Sequence, residues 1–429
     1  MDPQRTTSRH DRFLTTPSVS FFFIVAACVL FAGFIWGSLA RPLGADSNSI
    51  TRWHGILKNS SANSPAGTTQ SAANPSGKPY LMLVNTAIAD RLTAPMIAQF
   101  DRSPYEGLAV SFAGAFDTGP AFTVTQMETQ ITGWKKSPAK EIWPWVYLNR
   151  MIGVDPAQGN AEANVPYFQR FQGLDLDGKA GAQADFLKNW QNALWLAKRT
   201  GAPGIVCDLE FYNNYKAYDL SQLALMSSIS LPEVVKSLRQ IGAHMADISA
   251  AEYPGADIWF LFTAFTRPNY RTINGQPYYL AATYLVEGLL DEIQLHHLPV
   301  RVLSGGEVGL GYCHISLADF QQAIDKRAQA FAPILQKYQG ILQLAGTMTL
   351  WSDPAAKKSW VAQGACGAST AATVEDLIPY MDLLFRTYRY NWLYGSTNGG
   401  YYGFLPSSAP RFDAAIRKAE VLAYGSSVQ

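Results

Sequence analysis

The chain has 429 residues, with 34 Lys and Arg against 33 Asp and Glu, for a formal charge of +1. That length holds one large domain or two ordinary ones, and the lack of a basic block excludes nucleic acid as the main partner, because phosphate binding needs concentrated Lys and Arg. Only 16% of residues are charged while 13% are aromatic, a balance that excludes a disordered or highly solvated chain.

Residues 1–18 carry Arg5, Arg9 and Arg12 and precede an uncharged apolar run from Val19 to Ala40. At about 1.5 Å per residue this run crosses a hydrocarbon core of roughly 30 Å. Arginines on its N-terminal side predict a short cytoplasmic tail, a single transmembrane anchor and a C-terminal part outside the cytoplasm, periplasmic or extracellular. Ser38-Leu39-Ala40 offers a small-x-small cleavage site, so a signal segment is the competing reading. The apolar run exceeds the usual cleaved length of about 7–15 residues. Residues 41–78, which include SSANSPAGTTQSAANPSGKP, are dominated by Ser, Ala, Asn, Pro and Gly and predict a flexible linker.

Residues 79–429 alternate strand and helix. Strand-like apolar runs fall at Tyr80–Ile88, Gly107–Gly114, Glu141–Arg150, Gly204–Tyr212, Asp257–Phe265, Val300–Tyr312, Gly346–Asp353 and Asn391–Thr397. Between them, Ala184–Thr200, Leu231–Glu252, Tyr278–Leu295, Leu317–Tyr338 and Val374–Tyr388 repeat apolar residues at three- and four-residue spacing, the pattern of helices packed on one face. Near-continuous apolar strands separated by helices predict a parallel sheet covered on both faces. Eight strands fit an α/β fold of the (β/α)8 TIM-barrel type, with its chemistry at the strand C-terminal ends. No GxGxxG or GxxxxGK[ST] follows a strand, which argues against dinucleotide and P-loop chemistry.

The fourth strand, GIVCDLEFYNNY, is the most informative segment. Period-two alternation sends Val206, Asp208 and Glu210 to one side and Cys207 and Leu209 to the other, toward the helices. Two carboxylates two residues apart repel, which raises one pKa and keeps a proton available for acid catalysis. This strand resembles the DxxDxDxE strand of chitinase-like TIM-barrel glycoside hydrolases. The resemblance implies Glu210 as the acid and Asp208 as the group orienting a substrate N-acetyl nucleophile. Val206 stands where that family has its earlier Asp, and Leu209 stands where many retaining glycosidases have Asn.

Other strand ends supply candidate substrate-binding groups: Asn85 on the first, Trp145, Tyr147, Asn149 and Arg150 on the third, Tyr212 after the fourth, and Arg267 after the fifth. Glu307 follows the sixth, Trp351 and Asp353 end the seventh, and Tyr394 and Asn398 lie at the eighth. Aromatic faces with scattered polar groups suit sugar rings. If the enzyme uses a protein nucleophile, Glu307 or Asp353 is the candidate, retaining or inverting according to carboxylate separation.

No pair of the four cysteines has CxxC spacing, and the six histidines form no HExxH, so neither metal nor cofactor is expected. Cys313 and Cys366 fall in loops on one predicted face and could pair outside the cytoplasm. The expected function is a membrane-anchored extracytoplasmic glycoside hydrolase-like protein with a carbohydrate substrate. The alternative is a non-catalytic barrel subunit, binding carbohydrate or serving as structure in a membrane or envelope complex with membrane-protein partners.

Overall fold

The computed structural model describes residues 78–88, 92–111, 123–132, 140–147, 181–209, 220–262, 272–273, 276–277, 280–311, 316–349, 373–397, 400–401 and 409–425. Among the described residues no helix is long and apolar enough to cross a membrane. The expected anchor, Val19–Ala40, lies outside them, as do residues 41–77 of the expected linker and both Cys313 and Cys366.

The principal strands are β1 (Tyr80–Ile88), β2 (Gly107–Ser111), β3 (Glu141–Tyr147), β4 (Gly204–Asp208) and β5 (Asp257–Phe260). A small hairpin, β6 (Thr272–Ile273) and β7 (Gln276–Pro277), follows, and then β8 (Arg301–Ser304), β9 (Leu342–Leu344), β10 (Gly346–Thr349) and β11 (Tyr390–Tyr394). A second hairpin joins β12 (Ser396–Thr397) to β13 (Gly400–Tyr401). The large sheet runs β10-β11-β1-β2-β3-β4-β5-β8-β9, with every neighbouring pair parallel.

The two ends of that order are one stretch of chain. β9 and β10 are separated only by Ala345; β9 pairs with β8, and β10 pairs with β11. The Ala345 amide still donates to the Ser304 carbonyl at 2.8 Å, so the ladder passes from one half to the other. The circuit is therefore closed, with Leu342–Thr349 as its seventh staves-like member. This is a (β/α)8 barrel, and closure leaves the sheet without an edge.

Register fixes which residues fill the interior. Tyr80 pairs with Tyr390, Val206 with Trp259, and Trp259 with Leu303. Trp259 lies 5.7 Å from Trp143, 6.2 Å from Tyr80 and 6.0 Å from Tyr390, ring to ring, contacts that reach across the barrel axis. Trp143 Nε1 donates to Tyr80 Oη at 2.6 Å, and Tyr80 Oη donates in turn to Glu141. A Cβ at Gly204 would lie 1.8 Å from the Asp257 carbonyl oxygen, so only glycine lets β4 approach β5 here. Beneath the rings, Arg301 grips Asp257 with two bonds of 2.7 and 2.9 Å between adjacent strands.

Helices cover the outside: α1 (Ala94–Asp101), α2 (Val124–Gln130), α3 (Gly181–Thr200), α4 (Leu220–Ser227), α5 (Leu231–Glu252), α6 (Ala281–His296), the single turn α7 (Glu307–Leu310), α8 (Leu317–Lys337), α9 (Ile378–Thr387) and α10 (Ala409–Tyr424). Outward residues of the strands meet them; Phe260 stacks on Trp190 of α3 at 6.2 Å. The α5 start is set by a capping box, in which the Glu233 carboxylate accepts from the Ser230 amide at 2.9 Å.

Several boundaries differ from the sequence reading, among them those of the sixth and seventh strands. The sixth strand stops at Ser304 instead of running toward Tyr312, because Gly306 takes φ 91° and turns the chain into α7. The seventh begins at Leu342, upstream of the expected Gly346. The helix α10 had no expectation attached: its buried stripe of Ala409, Phe412, Ala415, Ile416 and Ala419 is mostly alanine, which carries little hydrophobic signal.

α10 also buries two carboxylates. Burial pushes the Asp413 carboxyl up to about 7 from 3.8, against the pull of Arg417 on the same helix and Lys140 from the turn before β3. Gln99 Nε2 of α1 reaches its Oδ2 at 3.5 Å, and its charge acts on the Tyr105 hydroxyl, in the turn before β2. Because the folded state holds this proton more tightly, the associated stability is complete below 3.8 and is lost as pH rises to about 7. Asp413→Asn is therefore expected to flatten the pH dependence of unfolding across that window and to gain on the parent above it, by about 1–4 kcal/mol, in urea titrations. Gly204→Ala is expected to cost about 3 kcal/mol or to prevent folding, read by thermal unfolding and near-ultraviolet circular dichroism.

Candidate functional site

The C-terminal ends of the strands form the mouth where this fold places its chemistry. Asp208 is the last residue of β4, pairs in register with Tyr147 of β3, and is only 1% exposed. Its direction follows from its neighbours. Val206, two residues earlier, pairs with the inward Trp259, whereas Cys207 pairs with the outward Phe260. Asp208 thus shares the inner face with Val206, and Cys207 faces the helices. Burial and the charge of Asp208 push the Cys207 thiol well up, so it stays protonated and packs as a small apolar group.

Glu307 stands on the next side of the mouth but one, as the first residue of α7, partly exposed. The loop carrying it is fastened from several directions. The Gly305 amide donates to Phe260 at 2.6 Å, and the Glu307 amide donates to Leu261 at 3.3 Å, tying the loop to the end of β5. From inside the barrel, Trp392 Nε1 of β11 donates to the Gly305 carbonyl at 2.7 Å. From outside, the Arg327 guanidinium of α8 donates to the Ser304 and Ala345 carbonyls, both at 2.7 Å. It lies over the rings of Phe331 and Tyr388 at 5.4 and 5.3 Å and is 2% exposed.

Arg327 therefore does two things at once. It holds the turn that presents Glu307, and it satisfies the carbonyl at the break where β9 becomes β10. Neither Arg327 nor Trp392 was among the residues expected from sequence. A signal for Arg327 exists: it occupies the buried stripe Phe320, Ile324, Arg327, Phe331, where helical spacing calls for an apolar residue.

Of the expected substrate-binding residues, Trp145 lies on β3, buried, two residues before Tyr147 and on the same face. Tyr394 ends β11, partly exposed, 6.3 Å from the Trp392 ring in an edge-to-face arrangement. Asn85 and Tyr147 belong to β1 and β3, and Asn85 falls at a register irregularity between Val84 and Ala87. The structure thus brings Asp208, Trp145, Tyr394 and Glu307 to one end of the barrel. Glu210, Asp353, Asn149, Arg150, Tyr212, Arg267, Trp351 and Asn398 lie outside the described residues. Among the described residues no group of three or more His, Cys, Asp or Glu could hold a metal ion.

No protein-family model and no curated protein matches the chain. Among solved structures, mannonate dehydratase from Streptococcus suis serotype 2 aligns over 82% of this chain and 95% of its own, at 11% identity and TM-score 0.39. The β-amylase catalytic domain from Paenibacillus polymyxa aligns over 79% of this chain and 98% of its own, at 7% identity and TM-score 0.40. Likeness at that level carries no argument about chemistry. The barrel assignment rests on its own strand circuit.

Arg327→Met keeps the side-chain length and removes the guanidinium, taking its donors from the Ala345 and Ser304 carbonyls, of which Ser304 keeps the Ala345 amide. Urea unfolding is expected to show a loss of about 2–4 kcal/mol. Arg327→Lys, which keeps the charge but not the fork, is expected to recover only part of it.

Proposed function

We propose that this protein is a glycoside hydrolase-like enzyme acting on a polysaccharide or glycoconjugate, held outside the cytoplasm by the N-terminal apolar segment. The observation that carries the reading is Asp208: a buried carboxylate on the inner face at the C-terminal end of a barrel strand. A carboxylate withdrawn from water has to be held by hydrogen-bond or ionic partners, and carboxylates held in this way inside a cleft cluster at functional sites.

In this reading Glu210, two residues further on, protonates the leaving glycosidic oxygen, and Asp208 orients the substrate group that attacks the anomeric carbon. If a side chain attacks instead, Glu307 supplies the nucleophile from a loop held rigid by Trp392 and Arg327, with Asp353 as the other candidate. Rigid support matters because a nucleophile displaced by an ångström loses much of its rate advantage. Trp145 and Tyr394 offer aromatic faces for sugar rings, with Asn85, Tyr147, Asn149, Arg150, Tyr212, Arg267, Trp351 and Asn398 as polar and aromatic neighbours. The membrane is a partner through Val19–Ala40, and membrane-protein partners belong to the alternative role as a non-catalytic barrel subunit.

The test is a hydrolysis screen on polysaccharides and aryl glycosides with the full chain. Glu210→Gln is expected to lower turnover at least 100-fold with the fold intact, the usual contribution of a general acid. Asp208→Asn is expected to lower kcat more than it raises KM. Glycan binding without hydrolysis in the parent protein would replace the catalytic reading with the carbohydrate-binding one. Unchanged turnover in Glu210→Gln would remove Glu210 from the mechanism.

A further inference from the structure

The end of the barrel opposite the mouth gathers the starts of the strands and the last turns of the helices, and its exposed charges are of one sign. Arg102, Arg301, Arg386, Arg389, Arg417 and Lys418 are exposed there, whereas the carboxylates among them, Glu106, Glu141, Asp257 and Glu420, are half-buried or buried. Arg301 pairs with Asp257 and Arg386 with Asp382, both at 2.7 Å. Arg102, Arg389, Arg417 and Lys418 make no ion pair among the described residues.

Two hydrogen bonds bring part of this set together around α10. Arg417 Nη2 donates to the Arg102 carbonyl at the end of α1, at 2.9 Å, and Arg386 Nη2 of α9 donates to the Leu422 carbonyl at 2.8 Å. α10 sorts its own charges: both of its acids, Asp413 and Glu420, are turned inward at 8% and 6% exposure, and Arg417 and Lys418 are exposed. Leu422, one turn beyond Lys418 on the same face, is 49% exposed. A basic helix face with a protruding apolar side chain is suited to an anionic lipid surface. The chain also enters the barrel here. Lys78, two residues before β1, pairs with Glu420 of α10 at 3.1 Å and with Glu106 at 2.9 Å. Upstream of it lie the 37 residues 41–77 and then the apolar run Val19–Ala40. A linker of that composition and length spans roughly 30–36 Å, which keeps the barrel at about millimolar effective concentration beside a membrane that the run enters. A small patch is then enough, because each Lys or Arg at an anionic surface strengthens binding roughly fivefold.

We propose that this end of the barrel, centred on Arg102, Arg386, Arg417, Lys418 and Leu422, docks on the anionic headgroups of a membrane, so that the mouth opens away from the bilayer. The inference rests on the reading of Val19–Ala40 as a membrane segment and is independent of the chemistry at the mouth. An acidic polysaccharide would meet the same charges, but the tethered chain entering beside Glu420 favours the membrane.

The test is lysine footprinting of the full chain, reconstituted into vesicles of phosphatidylcholine alone or mixed with phosphatidylglycerol, with a membrane-impermeant acetylating reagent and mass spectrometry. Lys418 is expected to react roughly fivefold more slowly in the phosphatidylglycerol vesicles, and high salt is expected to restore its rate. Lys236, exposed near the start of α5 and so toward the mouth, is expected to react equally in both. Arg417→Glu is expected to abolish the protection of Lys418. Equal Lys418 rates in the two vesicles, protection of Lys236 instead, or protection of Lys418 that survives Arg417→Glu would each overturn the proposal. Protection by soluble dextran sulfate but not by the vesicles overturns it in favour of an acidic polysaccharide. Should Arg417→Glu fail to fold, the footprint of the parent chain decides alone. Alkaline carbonate extraction reports separately on Val19–Ala40: a chain released by carbonate removes the anchor, and added phosphatidylglycerol vesicles that still protect Lys418 uphold the docking surface without it, while vesicles that leave Lys418 reactive overturn both.

Discussion

Closure of the strand circuit is the constraint on which everything else depends. It is made by one short stretch, Leu342–Thr349, hydrogen-bonded to β8 through its first half and to β11 through its second. The handover at Ala345 leaves a carbonyl turned toward α8, and Arg327 meets it there, together with the last carbonyl of β8. A buried guanidinium is an expensive way to join two carbonyls. It is tolerated because the same group also sets the turn that presents Glu307, so the seam of the barrel and one wall of the mouth share a single support.

Closure also decides what the interior must contain. Tyr80, Trp143, Trp259 and Tyr390 meet near the axis at centroid distances of 5.7 to 6.2 Å, and the edge-to-face geometry of Trp259 against Trp143 and Tyr390 is the favourable one for aromatic pairs. These rings plug the lower barrel, and the Asp257–Arg301 pair and Glu141 lie below them. Burial raises the carboxyls of Asp257 and Glu141 above their ordinary values, despite Arg301 beside the first and Tyr80 beside the second. The upper barrel holds Asp208, Trp145, Trp392 and Tyr394. Much of the aromatic richness of the chain is thus structural.

The alternation of β4 was legible because period two is a local property. Val206 and Asp208 read as inward and Cys207 as outward, and the pairing with Trp259 and Phe260 agrees. The amphipathic helices α3, α5, α6 and α8 were equally legible, since long apolar stripes repeat at helical spacing. The early end of β8 was less so: the glycines near Gly306 suit a close approach as well as a turn, and only the positive φ at Gly306 distinguishes them. The candidate site was legible in its residue types but not in its supports, because Arg327 and Trp392 act through partners 18 and 87 residues distant.

The sequence by itself determined the alternation of strand and helix, the inward face of β4 and the placement of carboxylates at strand ends, all consequences of local periodicity. The charge of +1 likewise belongs to residues 1–40, with three Arg and two Asp, which leaves 31 basic and 31 acidic residues beyond them. Only the tertiary structure decided that Leu342–Thr349 closes the circuit, that Arg327 fastens its seam, and that α10 pairs its buried Glu420 with Lys78, just before β1. Those are contacts between distant segments, and a one-dimensional pattern holds no record of which strand edge finds which.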